Sequence, residues 1–297
     1  MNPLVKLQQH GQSVWLDFLD RGFTAKGGLK RLGEEDGGGG VTSNPAIFEK
    51  AVGGSGEYDE GVRHLLAAGD RSGTDLFEAL AVEDIQNAAA VLRPVYDETR
   101  GADGFVSLEV SPYLAMDAEG TIAEARRLWA QCDRPNVMIK VPATKPGLIA
   151  IRTLLGDGIN INITLLFAQA VYREVVEAYL AGLEAFAAKG GDIGRVASVA
   201  SFFVSRIDAV VDAQLDKAIA AASSAQAKQE LAALQGKTAI ANAKLAYRDY
   251  QRLFSGARWD KLKAKGARPQ RLLWASTGTK NKAYSDVLYV AELIGPD

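Results

Sequence analysis

A lysine, Lys140, stands inside the apolar run Val-Met-Ile-Lys-Val of residues 137–141. An amine held in such a run loses hydration, which disfavours the ammonium and leaves a nucleophile for carbonyl carbon. The resulting imine withdraws electrons, so the chemistry within reach is making or breaking a carbon–carbon bond beside a ketone. On this run alone, a snorkelling lysine or one paired with Glu109 is the competing explanation. Two further apolar runs carry carboxylates: Asp17 in residues 14–19 and Glu109 in residues 105–110. Imine formation adds and removes water, and bond cleavage needs a base on the adjacent hydroxyl. Two carboxylates in different surroundings divide such tasks, unless one merely partners Lys140.

Other polar residues sit equally late in apolar runs. Asn44 ends Val-Thr-Ser-Asn; Asn160, Asn162 and Thr164 alternate with Ile161, Ile163 and Leu165; Ser201 and Ser276 close their runs. Side chains on a strand alternate with period two. One face of residues 160–165 is therefore polar and the other aliphatic, and Ser107, Glu109 and Ser111 share a face. In a parallel barrel the aliphatic set packs on helices, the polar set points inward, and late positions meet at the C-terminal mouth.

The elements that must hold these residues follow from the same pattern. Seven strand candidates cover 14–19, 41–44, 105–110, 137–141, 159–165, 196–204 and 272–276. Helical stretches lie between them: 122–132 behind an apparent Thr121…Glu124 capping box, 167–189 stopped by Gly190-Gly191, 206–234, 238–254 and 285–294. Strands alternating with helices give βαβ units and a parallel sheet. The expectation is one domain over 1–297, an α/β (β/α)8 TIM barrel whose eighth strand should follow the last helix and is missing from this chain. Either the chain is a piece of a longer polypeptide, the preferred reading, or the barrel is closed by some other means. The glycines of 37–40 read as a flexible loop. Gly236-Lys237-Thr238 lacks the upstream glycine of a phosphate-binding loop, and no Gly-x-Gly-x-x-Gly opens the first helix.

Composition removes several classes. With 34 basic and 36 acidic residues, nothing points to nucleic acid or an anionic membrane. No run spans a bilayer, no leader pattern opens the chain, and the single Cys132 rules out an internal disulfide; these together read as cytoplasmic. One cysteine with only His10 and His64 argues against a Cys/His zinc site and against a Ser-His or Cys-His pair.

Five motifs in order resemble the transaldolase family: Val41-Thr-Ser-Asn-Pro45, Ser107-Leu-Glu-Val110, Val137-Met-Ile-Lys-Val-Pro-Ala-Thr144, Ile159-Asn-Ile-Asn-Ile-Thr-Leu-Leu-Phe167 and Ser201-Phe-Phe-Val-Ser-Arg-Ile-Asp208. Trp274-Ala-Ser-Thr-Gly-Thr-Lys-Asn281 resembles its longer bacterial branch, whose members occur alone or fused to glucose-6-phosphate isomerase; a fused or associated isomerase domain is thus an expected partner. The resemblance implies a cofactor-free class I transferase of the non-oxidative pentose phosphate pathway. Lys140 would attack C2 of fructose 6-phosphate or sedoheptulose 7-phosphate. Asp17 would take the C4 hydroxyl proton, and the retained dihydroxyacetone unit would pass to erythrose 4-phosphate or glyceraldehyde 3-phosphate. Glu109 and Thr164 would hold the water of imine formation, Asn44 and Asn162 would bind hydroxyls, and Ser201 and Ser276 would lie in the same pocket.

Arg206, opening the helix after the sixth run, matches the family's phosphate contact, and a helix start favours an anion. Where many members place an arginine after the seventh-strand serine, this chain has Thr277-Gly-Thr-Lys280, so Lys280 is the expected second cation. Phe203 shares parity with Ser201. Related fructose-6-phosphate aldolases carry tyrosine there, and phenylalanine should keep water from the enamine and favour transfer. The alternatives are an aldolase-type lyase and a non-catalytic phosphosugar-binding barrel. Replacing Lys280 by alanine is expected to raise the KM of a phosphorylated donor; an unchanged KM excludes that role.

Overall fold

The computed structural model describes residues 2–294. Seven strands form one parallel sheet in sequential order: β1 Val14–Leu16, β2 Gly38–Thr42, β3 Phe105–Glu109, β4 Val137–Pro142, β5 Ile161–Leu166, β6 Ser198–Phe203 and β7 Arg271–Ala275. Each of the seven expected strands is present, with ends moved by a few residues. Helices connect them and cover the outer face, a curled sheet of the TIM-barrel kind. Among the described residues β1 and β7 do not pair, and a cleft of about 370 Å³ separates their edges, lined by Leu4, Leu7, Val14, Leu272, Tyr289 and Leu293 among others. Among the described residues the sheet has these seven strands and no eighth, as expected; residues 295–297 lie outside the described residues.

Alternation along the strands builds two layers. The outward set, including Val106, Leu108, Ile139, Val141, Ile161, Ile163 and Phe202, packs on helix residues such as Ile85, Leu128, Leu154 and Tyr172. Each such side chain contributes about 1.5–3 kcal/mol by leaving water. The inward set is apolar at the N-terminal end and polar at the other. Phe105, Met138 and Val199 form a plug with Trp15 and Leu273 against it. Two residues further along the same strands come Ser107, Lys140 and Ser201, so the plug is the floor on which the polar residues stand.

Beneath that floor Asp103 ties three strand starts together. It accepts hydrogen bonds from Ser13 and, at 3.0 Å, from the Trp15 indole on β1, and it faces Arg271 of β7 at 3.5 Å.

Four local expectations are corrected. Gly38–Gly40 is fully buried strand, not loop, because packing overrides glycine's weak strand propensity. Helix Ala118–Cys132 starts earlier than expected and is capped by Asp117. Thr121 instead donates to Leu114 O, and Glu124 accepts from Ser111 N. The 206–234 stretch is two helices, Ser205–Ala221 and Ala225–Ala232, because Ala222 is extended and Ser224 caps a new start. Leu165, expected on the aliphatic face, has φ of 62° and is 47% exposed.

A Cβ added at Gly40 would lie 2.4 Å from the Trp15 ring. Gly40→Ala is therefore expected to destabilise the fold by about 1–3 kcal/mol. Thermal unfolding checks this, and an unchanged midpoint would contradict the close approach.

Candidate active site

Parallel register brings the central group together. Glu109 on β3 pairs with Lys140 on β4, and Lys140 pairs with Asn162 on β5. Residues in register project to the same side, so the three side chains stand abreast inside the sheet. Lys140 is 8% exposed. Its Nζ lies 3.3 Å from Glu109 Oε2 and donates to Ser43 O at 3.1 Å. The amine is thus aimed between a carboxylate and a backbone carbonyl.

A second chain of hydrogen bonds fixes the neighbouring amide. Ser201 Oγ donates to Asn162 Oδ1 at 2.6 Å, and Asn162 Nδ2 donates to Ser107 Oγ at 3.0 Å. The two hydroxyls hold the Asn162 amide from both sides. Asp17, just past β1, accepts from Thr42 Oγ1 at 2.7 Å. Asn44 is extended and caps helix Pro45–Gly54, its Oδ1 accepting from Ile47 N at 3.0 Å. That bond fixes the Asn44 side chain at the edge of the cavity.

These residues line one cavity of about 410 Å³ at the C-terminal mouth. Asp17, Asn44, Lys140, Thr164, Ser201, Phe203, Arg206, Ser276 and Lys280 all contribute to its wall. Glu109 and Asn162, outside that wall, join it through Lys140 and Ser201. The structure therefore brings together the residues to which the family resemblance assigned a role. Asn160 is different: its Nδ2 donates to Pro135 O and Val137 O, and its Oδ1 accepts from Ala197 N. It stitches the lower ends of three strands and does not reach the mouth.

Two strand ends are bent to make this mouth. Leu165 adopts left-handed geometry, and the β5–β6 register slips between Ile163 and Leu166. That bulge buries Thr164 and turns Leu165 outward. Ser276, with φ of 56°, turns the chain after β7. Its Oγ lies 2.9 Å from Ser205 Oγ, and its carbonyl accepts from Ser205 N. Arg206 follows, its guanidinium 4.8 Å over the Phe203 ring, while Phe167 stacks on that ring at 5.0 Å.

Thr42, Ser43 and Phe167 are site residues not singled out from the sequence. Thr42 shares strand parity with Asn44, a signal that was present. Ser43 contributes a backbone carbonyl, which no side-chain pattern reveals. Among the described residues no cluster of three or more His, Cys, Asp or Glu is placed to hold a metal ion. None of the described helices is long and apolar enough to cross a membrane.

The family model for transaldolase/fructose-6-phosphate aldolase matches residues 14–297. The chain belongs to that family. A protein named transaldolase from Trichodesmium erythraeum is 48% identical over 296 residues, covering 100% of this chain and 78% of the relative. Another from Thermobifida fusca is 50% identical over 295 residues, covering 99% of this chain and 78% of the relative. The family match and the cavity residues run through the same strands.

Burial pushes the Glu109 carboxyl above its ordinary 4.5, opposed by the Lys140 ammonium and assisted by the Asp17 charge. A raised value means that the folded site keeps this proton to higher pH than the unfolded chain does. Carbon-13 NMR of labelled glutamate should show Glu109 titrating above 4.5. Lys140→Met, which removes the opposing ammonium, should raise the value further; titration at or below 4.5 would contradict the burial.

Proposed function

We propose that this member of the family is a transaldolase, a transferase that moves a dihydroxyacetone unit between sugar phosphates through a Schiff base on Lys140. The observation that carries the reading is the buried Lys140 amine, set between Glu109 and the Ser43 carbonyl in a cavity that also holds Asp17. The amine must lose a proton to attack, and Glu109 is the adjacent carboxylate with raised proton affinity.

Lys140 Nζ adds to C2 of the ketose phosphate. Glu109, with Thr164, delivers the proton that lets the carbinolamine hydroxyl leave as water. The iminium then draws the electron pair of the C3–C4 bond, while Asp17 takes the C4 hydroxyl proton. The aldehyde departs, and the three-carbon unit stays on Lys140 as an enamine. An acceptor aldehyde enters, the enamine carbon attacks its carbonyl, and Asp17 returns the proton to the new hydroxyl. Water releases the product and restores the lysine. Asn44 and Asn162 hold the hydroxyls of the bound fragment, with Ser201 fixing the Asn162 amide and Ser276 shaping the mouth. Arg206 and Lys280 receive the phosphate.

Transfer is favoured over simple cleavage by Phe203. Its ring is held between Phe167 and the Arg206 guanidinium and offers no hydroxyl to a water beside the enamine. An enamine shielded from protonation persists until an aldehyde arrives. The proposal places the protein in the cytoplasm and within the non-oxidative pentose phosphate pathway. It also retains a fused or associated glucose-6-phosphate isomerase, whose ketose phosphate is one of the donors. The unit that acts is a single barrel domain.

Borohydride reduction in the presence of fructose 6-phosphate should leave a three-carbon adduct on Lys140, read by peptide mass, and Lys140→Ala should abolish it. Asp17→Asn should lower turnover by about 10²–10⁴-fold while leaving the donor's initial imine trappable. Release of glyceraldehyde 3-phosphate without any acceptor, at the rate seen with one, would instead establish the lyase. A folded protein that gives no adduct would leave the binding barrel.

A further inference from the structure

Arg206 and Lys280 reach the mouth from separate pieces of chain. Arg206 opens helix Ser205–Ala221, whereas Lys280 lies between β7 and helix Leu288–Leu293 in a segment without helix or strand. An exposed lysine on irregular chain is a poor partner for a fixed phosphate unless something holds the chain. The helix that carries Arg206 also carries two aspartates one turn apart, Asp208 and Asp212, 2% and 8% exposed. Asp208 Oδ1 accepts from Ala239 N at 2.7 Å, and its Oδ2 accepts from the Tyr289 hydroxyl at 2.8 Å. Asp212 repeats the pattern: Oδ1 accepts from Gly236 N at 3.1 Å, and Oδ2 from the Tyr284 hydroxyl at 2.7 Å.

Each carboxylate thus spends one oxygen on the backbone around the start of helix Thr238–Leu253 and the other on a phenol, Tyr284 in the mouth segment or Tyr289 in the helix that follows it. Burying two carboxylates on neutral donors is costly, and the four bonds together fix the relative positions of three pieces of chain. The fit is specific at Tyr284: Gly236 has φ of 68°, and a Cβ there would lie 3.0 Å from the Tyr284 ring. Burial and the Asp212 carboxylate push the Tyr284 hydroxyl up to about 12, so it remains a proton donor at neutral pH. The segment's other end is pinned to the same helix, by the Ser276 contacts with Ser205. Lys280 therefore sits on a loop whose two ends are both fastened to the helix that presents Arg206.

We propose that Asp212–Tyr284, backed by Asp208–Tyr289, is a latch that positions Lys280 beside Arg206 and so sets the affinity for the phosphate of the substrate. The proposal rests on the reading that the substrate is a phosphorylated ketose. Tyr284 is on this account a positioning residue; it touches neither substrate nor reacting atoms.

Tyr284→Phe removes one hydroxyl from a half-buried ring, and Asp212→Asn keeps an acceptor for Gly236 N while removing the charge. In both variants the KM of fructose 6-phosphate should rise about tenfold. The kcat and the specificity for unphosphorylated fructose should stay within about twofold of the unmodified protein, the latch acting on uniform phosphate binding. Equal losses with both donors would reduce the latch to general structure, and unchanged KM would overturn it. A second readout does not depend on turnover: acetylation of Lys280, followed by mass spectrometry with and without fructose 6-phosphate. Protection in the unmodified protein that is lost in Tyr284→Phe supports the latch even if no cleavage of either donor is seen, in which case the transaldolase reading alone falls. Equal protection in both, or protection in neither, overturns it.

Discussion

The whole arrangement depends on keeping one amine out of water. Lys140 stands abreast of Glu109 and Asn162 because three parallel strands share a register, and parallel register leaves no freedom to slide one side chain past another. A shift of a single residue would turn Lys140 into the aliphatic layer and Ile139 into the cavity. The hydrophobic alternation that makes the sheet adhere to its helices is therefore the same constraint that aims the nucleophile. A buried amine without partners would be expensive. Glu109 and the Ser43 carbonyl lower that cost and also make the proton inventory of the site: one acid with raised affinity, set 3.3 Å from the base it must relieve.

The polar layer is supported from below and braced from above. Below, Met138, Phe105 and Val199 occupy the positions two residues before Lys140, Ser107 and Ser201, so filling the lower half of the sheet also sets the height of the site. Above, the strand ends depart from regular geometry where the mouth needs them to. Leu165 takes an unfavourable left-handed conformation so that Thr164 stays inside and the chain leaves toward Phe167. Such local strain persists only where the surroundings determine it strongly, here the flanking register of β5 with β6 and the Phe167–Phe203 stack.

Much of this was legible in the sequence, for a definite reason. Asp17, Glu109 and Lys140 stand out because a charge within an apolar run is costly unless it is used, and period-two alternation says which neighbours share its face. The same rule over-reached at Asn160, whose side chain completes backbone hydrogen bonds where the strands begin, and at Leu165, because alternation fails at a bulge. Glycine misled in the other direction. Gly38–Gly40 has the composition of a loop and is buried strand, a fact that depends on Leu32, Asp103 and Trp15, which close over the three glycines in turn. The break at Ala222 was legible only through Ser224, a residue type that caps helix starts. Tyr284 and Tyr289 gave no signal, since a phenol that meets an aspartate on another element leaves no trace in local pattern.

The cleft between β1 and β7 sharpens the question of how Asp17 is held. An edge strand is the least restrained part of a sheet, and β1, from whose end Asp17 projects, is short and lies on that edge. Its position nonetheless does not rest on its outer side alone. At its upper end the Thr42 hydroxyl of β2 holds the Asp17 carboxylate, and at its lower end Asp103 grips both the Trp15 indole and Ser13. Arg271 of β7 reaches the same Asp103 across the cleft and lies over the Trp15 ring. Asp17 is therefore located by contacts to β2 and to the chain before β3, the side on which Lys140 also lies. The distance that the chemistry requires, between the carboxylate and the amine, is set within β1–β4 and does not pass through the cleft.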